Sequence, residues 1–571
     1  MLTKEDGFYI CMPYSDISIA LRRILIMNSH KKIKFGFVIA AFSFLSLFAC
    51  DIFAQEDVNV NDLQDQLTLL RSQMQKLEKA VNEQKAVNEQ KVVEKGSDGI
   101  LNVYAPGIKS LKIGGEIRAR FESNSNFDFD DSKGDGKEFT LLRTRLNFDA
   151  KVNDHISAFL ELQDNRLFGE SADAPASSEF ATGLPLTLAG TNGGTIGNLG
   201  RVDVLQSYID FSIYERVMDQ SDGANLSFRI GRWQMNYGGQ KVISPLGWLN
   251  QGRSWDGIRM RYEQKNWSMP FWVDIFATQV DEDFVDAGRG GEDEDKIFTG
   301  IYGHLNWQKG HEVEPYFLYR RSKGGPAVDP VTGTIRPFPR PDGLLGSTGR
   351  TNEERATLGM RVHGKLASIP GFQYTGEFST QFGTINGDGI KNLDIEDAFG
   401  GYINVSYAKE DWTWKPKIGY SFHFASGDDD PNDGESETFD QIYPLAHAYL
   451  GYIDFQGWQN VISHQFTFSV SPLRNMLAKL DFHFFEQEEE DDAWYGASGA
   501  PNGGFGSGAI NRVDADDEIG QEIDFTLKYK LFERLNMTLG YSHFFAGDMI
   551  DDVKGDDDGA DWFYLMTTVK I

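Results

Sequence analysis

An all-β transmembrane fold, an antiparallel barrel of about 18 strands preceded by a short periplasmic coiled-coil helix, is what this sequence predicts. Three observations carry the prediction. From Leu111 to Ile571 the chain repeats segments that alternate apolar and polar residues, as in Ile523, Phe525, Leu527 and Tyr529 against Glu522, Asp524, Thr526, Lys528 and Lys530. A strand sends successive side chains to opposite faces, so each such ribbon has one greasy face and one charged face. The connections between the segments are alternately short and long. The composition is too polar for helical spans, with a mean hydropathy of -0.40 and a net charge of -30. A transmembrane barrel reads as hydrophilic because only every second residue meets lipid.

Residues 1–54 read as a targeting segment. It starts at the internal Met27, which leaves residues 1–26 open to reading as a misassigned start. Lys31, Lys32 and Lys34 form a basic n-region, and the apolar run from Phe35 to Phe48 is too short to span a bilayer comfortably. Ile52, Phe53 and Ala54 then offer a cleavage site. A rival reading is lipidation at Cys50, since Leu47 to Cys50 resembles a lipobox. With only 2 cysteines, Cys11 and Cys50, no disulfide framework is expected.

Residues 55–95 predict a coiled coil. Leu63, Leu67, Leu70, Met74, Leu77 and Val81 step alternately by four and three, which is a heptad seam. So short a helix is marginal alone, so self-association as a homotrimer through residues 60–90 is the favoured reading and a lone amphipathic helix the alternative. Residues 96–110, with Gly96, Gly99, Pro106 and Gly107, form a linker.

The barrel occupies residues 111–571. Candidate strands start near Leu111, Lys137, His155, Val202, Ala224, Trp255, Ser268, Lys296, Glu312, Glu354, Phe372, Ala398, Trp412, Ser463, Met476, Ile519, Leu535 and Asp561. The stretch from Tyr443 to Trp458 reads equally as strand or ordered loop. Long connections are expected at 124–136, 168–200, 236–254, 281–295, 322–352, 384–395, 426–444, 486–518 and 547–560, with tight turns between them. Short periplasmic turns and long outer loops are the asymmetry of a bacterial barrel, and an even strand count puts both termini in the periplasm. Trp267, Trp272, Trp307, Trp412 and Trp414 cluster near the short turns and predict an aromatic girdle. Of the long loops, 168–200 and 322–352 are the expected plugs.

A barrel of this size has room for an aqueous lumen, so the inward residues set its behaviour. Alternation places Arg118, Arg120, Arg143, Arg145, Arg229, Arg259, Arg261, Arg320 and Arg361 on the face opposite the apolar one. Guanidinium forks onto carboxylate or phosphate, and a ring of arginine selects anions. Glu116, Glu122, Glu161, Asp210, Glu377, Asp481, Glu522 and Asp524 share that face, so a lumen of cross-strand ion pairs with little selectivity is the competing reading. The acidic surplus falls in the long loops. There Asp428, Asp430, Asn432 and Gly434 partly echo a calcium loop, although no glutamate closes it.

The stretch from Gly231 to Lys241 (GRWQMNYGGQK), followed by Trp248 to Tyr262 (WLNQGRSWDGIRMRY), resembles the alginate-export family of outer-membrane porins. The segments Gln206 to Phe211 and Leu162 to Glu170 resemble it too. The likeness is specific over roughly residues 111–265 and architectural beyond. It implies an 18-stranded barrel whose arginine-rich constriction passes an anionic polymer, with Arg232, Arg253, Arg259 and Arg261 in the basic lining. Trp233 stands where that pattern has glutamine. Lys241 stands where it has arginine, keeping the charge and losing the fork. The coiled coil is a further departure and is similar to that of trimeric porins.

The expected function is therefore passive passage of anionic solutes or acidic polysaccharide across the bacterial outer membrane. The alternatives are a general non-selective porin and a structural envelope protein tethered through its coiled coil. Outer-membrane lipid, anionic solutes and a homotrimer are the expected partners, with no nucleic acid for so acidic a chain. The sequence carries no GxSxG, HExxH, CxxC or phosphate-loop motif, so neither enzymatic activity nor a metal or cofactor site is expected.

Overall fold

The computed structural model describes residues 101–102, 108–168, 202–213, 223–279, 297–323, 327–328, 335–336, 351–387, 393–499, 502 and 516–571, less 131, 133, 135, 431–432 and 556–557. The targeting segment, the coiled coil and most of the linker lie outside them. So do most of 168–200 and 322–352.

Eighteen antiparallel strands form one sheet. They are β1 (Ser110–Ser125), β2 (Lys137–Lys151), β3 (Ile156–Leu167), β4 (Val202–Ser212), β5 (Ala224–Trp233) and β6 (Trp255–Gln264). Next come β7 (Phe271–Gln279), β8 (Ile297–Gln308), β9 (His311–Lys323), β10 (Thr351–Lys365), β11 (Phe372–Gly387) and β12 (Leu393–Ala408). The last are β13 (Lys417–Ala425), β14 (Val461–Val470), β15 (Met476–Glu486), β16 (Glu518–Phe532), β17 (Leu535–Ala546) and β18 (Ala560–Lys570). Each strand pairs with the next, and β1 pairs with β18 from Glu116↔Lys570 to Ser125↔Asp561. The sheet closes on itself, which removes both edges.

Burial is inverted relative to a water-soluble fold. Ile117, Ile209, Ile258, Leu358, Ile403 and Phe466 are exposed, while Arg118, Arg120, Asp274, Glu522 and Asp524 are buried. Backbone groups in hydrocarbon must be satisfied internally, and a closed barrel with an apolar exterior is the strand solution to that demand. Among the described residues no helix is long and apolar enough to cross a membrane.

Three expectations are corrected. The connection at 384–395 is not a long loop: β11 runs to Gly387, β12 resumes at Leu393, and Ile385↔Leu393 and Thr384↔Asp394 pair. The ribbon continues because Ile385, Leu393, Ile395 and Ala398 bury one another. The strand expected from Trp412 begins at Lys417, since Trp414 and Lys415 take positive φ and turn the chain. Trp272 does not join the girdle. Trp267, Trp412 and Trp414 are exposed at the short-turn end, but Trp272 shares the inward face of β7 with Asp274 and stacks on His304 (centroids 5.3 Å apart).

The lumen is not a bare aqueous tube. Trp233, Trp255, Phe276, Phe298, Tyr302 and Tyr316 of the wall form one buried cluster with Met235, Tyr237, Phe439, Tyr443, Trp458 and Trp494. The latter six lie in connections 234–254, 426–460 and 487–499, whose described residues therefore fold into the barrel. The stretch 443–458 is ordered loop, apart from one 3-10 turn (Ala446–Ala448). The last long connection carries the helix α1 (Asp548–Lys554), which ends at Gly555 in the left-handed region.

Candidate channel lumen

The wall begins with a register that places like charges together. Arg118 on β1 is the direct cross-strand partner of Arg143 on β2, and Glu116 is that of Arg145. Like charges directly opposite one another destabilise a sheet unless something answers them. Here loop 234–254 answers. Arg118 donates to the carbonyls of Gly247 (3.3 Å) and Leu249 (3.1 Å) and to Asn250 Oδ1 (2.8 Å). Arg143 donates to the same two carbonyls, at 3.0 and 2.8 Å, and pairs with Glu116. Arg120 donates to Glu122 (2.6 Å) and to the Trp248 carbonyl (2.7 Å), with its guanidinium over the Trp248 ring. Arg145 differs in degree: its Nε and Nη2 are both buried without a hydrogen bond, where Arg118 lacks one only at Nε.

A second group lies on β4 to β7. Arg229 and Arg259 are direct cross-strand partners. Arg229 forks onto Asp210 with two bonds of 2.7 Å. Arg261 forks onto Asp274 at 2.6 and 2.7 Å, with Trp272 beneath its guanidinium. Arg259 reaches the same carboxylate only at 3.9 Å, and its Nε makes no hydrogen bond. Arg232 stands on the opposite face of β5 from Arg229, ion-paired with its register partner Asp256 at 2.6 Å. Its even position in the alternation turns it away from the lumen. Arg253 belongs to loop 234–254, where it is buried, donates to the Ser244 carbonyl (3.3 Å) and lies over the Tyr443 ring.

A third group lies on β9 and β10. Arg320 and Arg355 are cross-strand partners and share Glu353, at 2.6 and 2.7 Å. Arg320 also holds Asp440 of loop 426–460 (2.8 Å). Burial alone would raise the Asp440 carboxyl, but Arg320 and Arg355 outweigh it and draw it down to about 2. Arg361 pairs with Glu314 at 2.8 Å. Arg355 escaped the sequence reading, although the alternation that marks Arg361 marks it too. Asp274, Glu314 and Asp440 are the partners that a list of arginines alone omits.

The two large inward loops interlock across the lumen. Ser244 donates to the Tyr443 carbonyl (2.8 Å), Tyr443 to that of Val242 (3.0 Å) and Leu445 to that of Gln240 (2.9 Å). Trp248 stacks on His447 with centroids 4.0 Å apart. Lys241 is buried among Tyr449, Tyr402 and Trp458, its Nζ 3.9, 4.4 and 5.3 Å from the ring centroids. Burial drives its ammonium well below the usual range, against the pull of Glu377.

Similarity to solved structures is low in sequence. Pseudomonas aeruginosa OccK11 (OpdR) aligns at 9% identity and a TM-score of 0.46, over 81% of this chain and 96% of its own. Acinetobacter baumannii OccAB1 aligns at 11% and 0.46 over 81% and 96%. The outer membrane protein OprD of Pseudomonas aeruginosa aligns at 11% and 0.43 over 80% and 93%. No curated protein matches the chain. The alginate export family matches residues 109–562. That match covers well over half of the chain, from before β1 to the start of β18, so this chain belongs to the alginate export family and is a β-barrel channel of the bacterial outer membrane.

Proposed function

We propose that the channel passes anionic solutes, among them acidic polysaccharide, by passive diffusion along its arginine-bearing wall. One observation carries the reading: three direct cross-strand arginine pairs, Arg118↔Arg143, Arg229↔Arg259 and Arg320↔Arg355, lie on inward faces of the barrel. Like charges set opposite one another weaken a sheet unless something answers them, and an anion in the lumen answers them as loop carbonyls and carboxylates do. A passing carboxylate gains forked, charge-assisted hydrogen bonds. Buried donors without a protein acceptor occur on Arg118, Arg145, Arg259, Arg320 and Arg361; of these Arg118, Arg320 and Arg361 bond elsewhere to loop carbonyls or carboxylates, which leaves Arg145 and Arg259 as the positions to test.

The competing reading, a non-selective porin, draws on the forked pairs Arg229–Asp210 and Arg261–Asp274, which cancel charge locally. Reversal potential in a planar bilayer under a potassium chloride gradient separates the two. Chloride preference that falls in Arg145→Ala with Arg259→Ala, together with block by added oligouronate, supports anion passage. A reversal potential near zero that the double variant leaves unmoved supports the non-selective porin and overturns the proposal.

A further inference from the structure

We propose that the outer wall across β2 to β5 packs against the β18–β1 wall of a second copy of this chain, so that three barrels close around an axis beside β2. The proposal is independent of solute selectivity. The β2–β5 wall is not smooth. Ala150, Ala158, Ile209 and Ile230 follow one another as direct cross-strand partners on the outward face, and Leu160 and Ser207 pair in the next row. Ala150, Ala158 and Ser207 are small where their neighbours are large, and a groove of about 340 Å3 opens among these side chains. The β18–β1 wall has the opposite relief. Ile117, Leu565 and Val569 are exposed there, and Phe121 meets Phe563 edge to face with centroids 6.4 Å apart. Lipid gives no hydrophobic drive for two walls to meet. Association within a membrane rests instead on close packing, which small side chains on one surface allow.

Two further observations select a second copy of this chain as the occupant. The first is where the preceding segment joins the barrel. Leu101 and Asn102 pair with Ile113 and Lys112 of β1. Lys109 donates to the Lys151 carbonyl at the end of β2 (2.8 Å) and pairs with Asp154 of the β2–β3 turn. The heptad seam read at residues 63–81 is tied to the barrel through these residues, so any helix shared between copies is tethered at β1 and β2. The second is angular. Each of the eighteen strands takes about 20° of the circumference. Round barrels in a closed ring of three touch their two neighbours at points about 60° apart, and the axis of the ring bisects those points. The β18–β1 seam and the β3–β4 seam, at the middle of the groove, are three strands apart, and β2 bisects them. The axis therefore falls on the strand whose end holds Lys109. A cyclic ring of three also needs two different patches, and a groove and a ridge supply them. The far wall is built otherwise: Phe382 and Phe466 are exposed there, and Phe399 stacks on Phe424 with centroids 5.4 Å apart, a bulky apolar surface suited to lipid.

The test uses the full-length protein in outer-membrane vesicles, carrying Ala158→Cys with Leu565→Cys and treated with a short bismaleimide. Expected is a ladder of covalent species that ends at three copies. Either substitution alone gives no ladder. Neither does Ala158→Cys with Ile403→Cys, which moves the second thiol to the far wall. Ser207→Trp added to the first pair fills the groove, and the ladder is lost. Heat-modifiable mobility on a gel reports whether each barrel has assembled. If the Ser207→Trp barrel does not assemble, the two cysteine pairs decide. An assembled Ala158→Cys, Leu565→Cys barrel that stays a single band overturns the interface. So does a ladder matched by the Ile403→Cys pair, or one that runs past three copies. Absence of the ladder together with phospholipid that Ser207→Trp releases assigns the groove to an acyl chain and overturns the proposal as well.

Discussion

Gly238 shows how much a single residue decides here. Its φ is 55°, and a β-carbon would stand 2.7 Å from the Tyr302 hydroxyl and 3.3 Å from a Glu314 oxygen. Left-handed backbone and close approach together require glycine. Gly238→Ala is expected to cost about 1–3 kcal/mol of loop docking. Trypsin should then cut after Lys241, which the docked loop protects, and single-channel conductance should rise. Protection and conductance equal to wild type would show that Gly238 does not hold the loop. The arginines teach the same lesson: Arg145 and Arg232 carry the same charge, yet one has buried idle donors facing inward and the other an ion pair on the outer face. Alternation by itself separates those faces; the pattern resemblance that grouped Arg232 with Arg259 does not.

Between the elements, inward packing of connections is the main event, and it is pH-dependent. Asp428 of loop 426–460 is buried beside Asp492 of loop 487–517, whose carboxylate accepts from the Asp428 amide (3.2 Å), Thr438 (2.7 Å) and Tyr495 (2.8 Å). Burial, with Asp492, Glu437 and Asp433 beside it, raises the Asp428 carboxyl to about 8. Burial raises Asp492 to about 6, against the hydrogen bonds it accepts. A carboxyl raised in the docked state binds more protons docked than free. Its contribution is therefore fully present below the ordinary carboxylate range and is lost as pH rises through about 6 and then about 8. Protection against amide exchange in 426–440 and 487–495, with the intrinsic pH dependence of exchange divided out, should fall between pH 5 and pH 9. Asp428→Asn should flatten the dependence. A flat profile in the wild-type chain would mean that the acidic pair does not govern docking.

At the scale of the whole molecule, closure of β1 on β18 makes the barrel a unit with no free edge, and both ends of its chain meet at the short-turn end, where Gly115 donates to the Ile571 carbonyl (3.2 Å). The channel reading needs only this unit. Deleting residues 55–95 should leave conductance per barrel unchanged and, if those residues trimerise the protein, should lower its mass in detergent about threefold. Loss of envelope attachment on that deletion, in a barrel that never conducts, would favour the tether reading instead. The same experiment addresses the predicted coiled coil, which lies outside the described residues.

The sequence by itself determined the barrel. Alternation has a period of two whatever surrounds it, so the strand number and the apolar exterior could be read before any coordinates. Only the tertiary structure decided what fills the lumen. Connections 234–254 and 426–460 carry no period, and their place depends on partners far away in the chain, such as Gly247 under Arg118 or Asp440 on Arg320. The same holds for the cluster of His304, Glu312 and Glu314. Its members come from two strands and match no motif, because pairing register, not spacing along the chain, brings them together.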